Sequence, residues 1–198
     1  MGKAKRKGGQ SAPESVTPLL APLQALQNLI LQFDNRGVII GGIAASLMGM
    51  PRYTVDLDAV LLLSVDDIPQ FLQKACIQGI RSRISDPIEF ARKSRVLLLR
   101  HIDSGTDIDI SLGVLPFEIE MVERSKEFEI GPIRLRLPTP EDLIILKAVA
   151  HRPKDMADIQ AIADSHPDLD KKRIKLWVDQ FGEALDLPEL WGDIEKLL

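Results

Sequence analysis

The run Arg52-Tyr53-Thr54-Val55-Asp56-Leu57-Asp58-Ala59-Val60-Leu61-Leu62-Leu63 carries two acids at the point where the chain turns wholly apolar. Its Val and Leu content reads as a β-strand. Alternation along a strand puts Arg52, Thr54, Asp56 and Asp58 on one face and Tyr53, Val55, Leu57 and Ala59 on the other. Beyond Asp58 the polar face becomes Val60 and Leu62, so both faces are buried from there on. Two carboxylates thus stand where a strand enters a core. Same-face neighbours lie roughly 7 Å apart along a strand. At that range like charges repel, and burial adds a desolvation penalty. A divalent cation relieves both, and Mg²⁺ takes oxygen ligands while keeping waters that substrate phosphates replace. An isolated Asp-x-Asp is more often a solvated strand end or turn, so the flanking segments must decide.

On the N-terminal side, Val38-Ile39-Ile40 reads as a short buried strand, followed by Gly41-Gly42 and a helix from Ile43 to Met50. Strand, double glycine, helix suits close approach of backbone N–H groups to a phosphate, although a Gly-Gly pair is more often only a tight turn. On the C-terminal side, Val96 to Ile102 is a strand, Ser104-Gly105 a turn, and Thr106 to Leu112 a returning strand. Asp107, Asp109 and Ser111 share one face of it. This antiparallel hairpin can bring a third carboxylate beside the first two. A solvent-facing acidic strand fits the same residues equally well.

The remaining chain supplies helices and one more hairpin. Thr17 to Asn35 has amphipathic helical spacing. Asp66-Asp67 is expected to cap a helix through about Gly79. Residues 80–94 are mixed, with a helical turn expected over Pro87 to Lys93. Leu115-Pro116-Phe117-Glu118 opens a short helix to Ser125, and Glu127 to Ile130 with Ile133 to Leu137 forms a hairpin around Gly131-Pro132. Thr139-Pro140-Glu141-Asp142 starts a helix that runs to His151. Arg152-Pro153 breaks it, and helices follow over Lys154 to Ser165, Leu169 to Leu185 and Pro188 to Leu198. Strands followed by helices imply an α+β class. The expected division is a disordered basic tail over residues 1–13, an α/β core over 14–138 and a helical lobe over 139–198, with a ligand cleft between core and lobe.

Composition closes off several functions. The 198 residues are 45% hydrophobic and 27% charged, ordinary for a soluble globular protein. A net charge of −4 argues against general polyanion binding while leaving room for a local basic groove. The single cysteine, Cys76, excludes an internal disulfide and a Cys-based zinc site. His101, His151 and His166 lack metal-ligand spacing. No apolar run reaches the roughly 18–20 residues of a membrane span. The basic N-terminus lacks an apolar signal core, so a cytoplasmic protein is expected. Aromatic residues are only 5%, which gives little basis for base stacking.

Gly41-Gly42, then Arg-x-Thr-x-Asp-x-Asp at 52–58, then an apolar-Asp-apolar strand at Asp109, resembles the nucleotidyltransferase superfamily typified by polymerase beta. Within it the chain looks most like minimal nucleotidyltransferases of the AbiEii toxin type. Gly113-Val114-Leu115-Pro116-Phe117-Glu118, Thr139-Pro140-Glu141-Asp142-Leu143, and Leu146-Lys147-Ala148 with Arg152-Pro153-Lys154-Asp155 and Asp158 agree with that group. The resemblance covers about residues 36–165. It implies a mixed sheet flanked by helices, followed by a helical C-terminal region.

By position, the resemblance makes Asp56 and Asp58 ligands of Mg²⁺ in a two-metal site that also accepts Mn²⁺. Asp109 becomes the third carboxylate, near the attacking hydroxyl. Gly41 and Gly42 would cradle an NTP triphosphate, with Arg52 and Thr54 beside them. Lys147, Arg152 and Lys154 would contact phosphates, and Asp155 and Asp158 would orient those cations. The plain alternative for Lys154 and Asp158 is a solvated pair four residues apart, worth roughly 0.2–0.5 kcal/mol. The implied reaction moves an NMP from an NTP, ATP among the candidates, to an acceptor hydroxyl on a tRNA, a small molecule or a protein. A toxin role would bring an antitoxin partner. The best-known toxins carry a larger C-terminal region than the stretch following Ser165, so acceptor recognition is expected to differ. The competing reading is a non-catalytic nucleotide-binding or protein-interaction module on the same fold.

Overall fold

The computed structural model describes residues 13–198, so all but the last residue of the expected basic tail lies outside it. A 3₁₀ turn (Thr17–Leu19) leads into α1 (Leu20–Leu31), which buries Leu23, Leu26, Leu29 and Ile30 at three- and four-residue spacing. Each such side chain contributes about 1.5–3 kcal/mol by leaving water. Then come β1 (Gly37–Ile40), α2 (Gly41–Met48), β2 (Asp56–Leu61), a 3₁₀ turn (Val65–Asp67), α3 (Ile68–Ile77), β3 (Ile80–Ser82) and α4 (Pro87–Ser94). The hairpin β4 (Val96–His101) and β5 (Thr106–Leu112) precedes α5 (Pro116–Arg124) and a second hairpin, β6 (Lys126–Ile130) and β7 (Ile133–Leu137). Helices α6 (Pro140–Ala150), α7 (Pro153–Ser165), α8 (Lys171–Ala184) and α9 (Leu190–Glu195) complete the chain. The architecture is α+β: a mixed sheet flanked by helices, followed by a helical C-terminal region.

The main sheet has the order β1-β2-β5-β4-β3. Its pairs are antiparallel except for β2 and β5, which run parallel. This parallel pair sets the site. Its register aligns Asp56 with Asp107 and Asp58 with Asp109, and the β1 pairing aligns Ile40 with Asp58. Leu57, Ala59, Ile108 and Ile110 bury the opposite face of these strands.

Three local expectations are corrected. The acid-bearing strand begins at Asp56, not Arg52. Arg52 to Val55 leave the ladder because their polar groups have other partners: Ser46 Oγ donates to Arg52 O at 3.0 Å, and Thr54 Oγ1 donates to Asp56 Oδ1 at 2.9 Å. The alternation survives, with Thr54 buried and Tyr53 and Val55 exposed. Next, Ser64 rather than Asp66 or Asp67 caps the following helical segment, its Oγ accepting from Asp66 N at 3.2 Å. Finally, residues 80–94 form β3 and a full α4, capped by the Asp86 carboxylate.

The C-terminal helices are tied in by polar contacts. Thr139 caps α6 as its sequence predicts, accepting from Asp142 N at 3.3 Å. The buried Asp142 receives Arg173 Nε of α8 at 2.8 Å and Arg124 Nε of α5 at 3.3 Å. Helices α6 and α7 pack against α2. A Cβ on Gly49, just past the end of α2, would lie 3.1 Å from the backbone of Ala161 in α7, so a side chain there would have to push the two helices apart by a few tenths of an ångström.

Candidate active site

A cleft of about 350 Å³ opens between the end of β1, the start of β2 and helices α6 and α7. Its walls include Gly41, Gly42, Arg52, Thr54, Asp56, Asp58, Asp109, Lys147, Arg152, Lys154 and Asp155. All the residues singled out by sequence therefore meet in one cavity except Asp158, which stands behind Arg52 and Lys147.

The floor is acidic. Asp56 and Asp58 project from the same face of β2, and Asp109 projects beside Asp58 from β5. Burial pushes the Asp58 carboxyl above its ordinary range, and repulsion from Asp56 and Asp109 adds to it. Burial likewise raises Asp109, despite the opposing pull of Arg83.

The glycines form the rim. Helix α2 starts at Gly41 with no side chain capping it, so its first N–H groups are free for an anion. Gly41 has φ +67°, and a Cβ there would sit 2.0 Å from Asp58 Oδ2. A Cβ on Gly42 would lie 2.7 Å from Thr54 Oγ1. Gly41 is thus held by close approach to the acidic strand and Gly42 by close approach to the segment leading into it, which goes beyond the tight-turn reading.

The helical wall is a network of buried charge. Arg52 makes a two-pronged contact with Asp158, Nε to Oδ1 at 2.8 Å and Nη2 to Oδ2 at 2.9 Å. Lys147 Nζ reaches Asp158 Oδ2 at 2.6 Å and Asp155 Oδ1 at 3.1 Å. Arg152 Nε closes the chain on Asp155 Oδ2 at 2.6 Å. Burial alone would raise both acids. Hydrogen bonds from Arg152 and Lys147 to Asp155, and from Arg52 and Lys147 to Asp158, outweigh it and leave both below the usual carboxylate range. Asp158 therefore serves Arg52 and Lys147, not Lys154 as helical spacing would allow. Lys154 lines the cleft, and among the described residues it forms no ion pair.

One participant escapes sequence reading. Arg83, just past β3, donates Nη2 to Asp109 Oδ1 and Nη1 to Asp107 Oδ2, the latter at 3.0 Å. Asp107 also takes Arg100 Nε at 2.6 Å. Arg83 lies in the mixed 80–94 stretch, and no motif marks it. Among the described residues, no group of three or more His, Cys, Asp or Glu side chains is arranged to hold a metal ion. The donor chemistry still suits one: a set of carboxylates on one face, two of them raised by burial, against a rim where a Cβ would fill the space beside Asp58. Oxygen-only donors fit Mg²⁺ or Mn²⁺ rather than zinc.

The family model described as nucleotidyl transferase AbiEii toxin, type IV toxin–antitoxin system, matches residues 24–196. The antibiotic-resistance factor ANT(2'')-Ia has a similar solution structure, with a TM-score of 0.57 at 13% identity over 88% of this chain and 96% of that one. An antigenic nucleotidyltransferase-like protein from Paracoccidioides brasiliensis is similar at a TM-score of 0.50 and 16% identity, over 89% of this chain and 92% of that one. No curated protein sequence matches the chain. Among the described residues no helix is long and apolar enough to cross a membrane.

Proposed function

The chain belongs to the AbiEii nucleotidyltransferase family, and from that premise we propose that it transfers an NMP from an NTP to an acceptor hydroxyl. The observation that carries this reading is the in-register pairing of Asp58 with Asp109 beside Gly41, which joins three carboxylates to an open helix N-terminus in one cleft.

The acceptor oxygen attacks the α-phosphorus of the NTP, the α–β phosphoanhydride bond breaks, and pyrophosphate leaves. Asp56, Asp58 and Asp109 would hold divalent cations, Mg²⁺ first and Mn²⁺ in its place. Such an ion, when bound, neutralises phosphate charge and makes the hydroxyl a better nucleophile. The free N–H groups at the start of α2 receive the triphosphate, ATP among the candidates. Arg152 and Lys154, at the cleft surface, offset the charge of the departing pyrophosphate. Lys147 and Arg52 lie deeper and brace the wall through Asp155 and Asp158. Asp109, its side chain 45% exposed, accepts a hydrogen bond from the acceptor hydroxyl and takes up the proton that the hydroxyl sheds. No protein nucleophile is called for, since positioning and charge supply most of what phosphoryl chemistry asks of a protein.

The acceptor is a tRNA, a small molecule or a protein hydroxyl. Family membership supports a toxin role with an antitoxin counterpart. A second reading, a nucleotide-binding or protein-interaction module without catalysis, is favoured by one observation: Asp109 is tied to Arg83. Incubation with α-labelled NTPs, Mg²⁺ and a cell lysate separates the two. Transfer of label that Asp56→Asn abolishes supports the enzyme. NTP binding without transfer to any acceptor pool supports the module.

A further inference from the structure

Arg83 is bound at both ends of its fork. Its backbone N–H donates to Leu98 O at 2.9 Å, which extends the sheet edge past β3. Ser82 Oγ pins the next turn, donating to Ile84 O at 2.8 Å and accepting from Ile84 N at 3.1 Å. From this anchored base the side chain crosses β4 at Leu98, the register partner of Asp109, and reaches β5. One guanidinium nitrogen goes to Asp109 and the other to Asp107, same-face neighbours two residues apart. Among the described residues, Arg83 is the one basic side chain in ion-pair contact with Asp56, Asp58 or Asp109. Its Nε is buried with no hydrogen-bond partner among the described residues. The fork is therefore split between two acids rather than seated in the two-pronged way that Arg52 sits on Asp158.

The split matters because of what it occupies. Asp109 completes the acidic floor, yet its carboxylate is taken by an internal cation, and among the described residues no three acids are arranged for an external one. The contact is also displaceable: the Asp109 side chain is 45% exposed and that of Arg83 24%, so water screens the pair. Asp107 supplies a second seat for the arginine, already steadied by Arg100.

Resting on the nucleotidyltransferase reading above, we propose that Arg83 is a positioning residue that gates the third carboxylate. It holds Asp109 while no divalent cation is bound. It passes wholly to Asp107 when one arrives, freeing Asp109 to join Asp56 and Asp58. Asp107 is the parking site for the guanidinium, and the pair Arg83–Asp107 sets cation affinity. Without such a counter-ion, three clustered carboxylates would repel one another in the metal-free protein. With it, part of that repulsion is offset until a stronger charge competes.

The probe is Mn²⁺, titrated into the full-length protein and followed by the electron paramagnetic resonance signal of the free ion. Arg83→Ala is expected to tighten Mn²⁺ binding by about fivefold, the upper end of what releasing a water-screened ion pair is worth. Asp107→Asn, which strands Arg83 on Asp109, is expected to weaken it by a similar factor. The double variant should match Arg83→Ala alone, because the parking site has no purpose once the arginine is gone. Arg83→Gln, nearer in size, decides the matter if Arg83→Ala does not fold. Unchanged or weaker binding in the Arg83 variant overturns the gate. So does an Asp107→Asn effect of equal size with and without Arg83, which would mean only a diffuse field. Asp58→Asn tests the premise separately. If it leaves Mn²⁺ binding intact, the catalytic reading itself fails. If it abolishes binding while the Arg83 variants behave as wild type, only the gate fails.

Discussion

Arg52, Lys147 and Arg152 share two carboxylates of the helical wall, Asp155 and Asp158, whose side chains are 0% and 7% exposed. Arg83 and Arg100 on the sheet side share Asp107 and Asp109, which are 33% and 45% exposed. Both arrangements alternate positive and negative groups, and their energetics differ. Removing one member of the buried network leaves an uncompensated charge away from water. Removing one member of the open network leaves a charge that water can take over. The helical wall is thus a fixed cradle, suited to a donor that is always held the same way. The sheet side is adjustable, suited to an ion that comes and goes and to an acceptor arriving from solvent.

Substitutions can test this contrast in order of expected effect. Asp58→Asn, at the junction of the two walls, should lower NMP transfer by at least 10²–10³-fold, roughly the scale of losing one preorganised electrostatic group. Label transfer measures it, and the fold should be retained. Asp155→Ala should cost about 1–3 kcal/mol in chemical denaturation, because buried Lys147 loses one of its two acids while the exposed Arg152 is taken over by water. Gly41→Ala should cost at least about 1–2 kcal/mol from its left-handed backbone alone. It should also weaken NTP binding in calorimetry, since its Cβ would displace Asp58. Arg100→Ala, at the open end, should leave the denaturation midpoint nearly unchanged.

A pH series sharpens the same comparison. Asp155 and Asp158 have folded pKa values below their ordinary 3.8. Their stabilisation is present above that value and is lost as pH falls through the depressed folded values. Asp58 is raised above 3.8, so the sign reverses. Its proton favours the folded state below 3.8, and that advantage is lost as pH rises through the raised value. In metal-free protein, Asp58→Asn should therefore raise stability at neutral pH and change little in acid. Asp155→Asn should lower it most at neutral pH. Denaturation midpoints at several pH values measure both.

Much of this was legible in the chain. The strand Thr106–Leu112, the β6–β7 hairpin, the Thr139 cap and the helix break at Arg152-Pro153 follow from alternation, turn chemistry and capping, which act over a few residues. The glycine pair and the carboxylates stood out as candidates through the family resemblance, since their own residues also fitted a tight turn and a solvent-facing acidic strand. What failed depended on distant partners. The 52–55 segment looks like a strand, and Asp158 in α7 takes its arginine instead. β3 is only Ile80-Arg81-Ser82 at a sheet edge, too short to show alternation. Arg83 gains its meaning from acids on a strand two positions away in the sheet. Parallel pairing of β2 with β5 likewise has no local signature.

On the proposed function, Asp56, Asp58 and Asp109 converge on a cation beside a triphosphate held at the start of α2. Crystals grown with Mn²⁺ and a non-hydrolysable NTP analogue, measured at the manganese absorption edge, test it directly. Anomalous density is expected among the three carboxylates, with triphosphate oxygens against the backbone of Gly41 and Gly42 and with Arg83 seated on Asp107. Nucleotide bound elsewhere, or bound in this cleft with no ion among the acids and Arg83 still on Asp109, would contradict it.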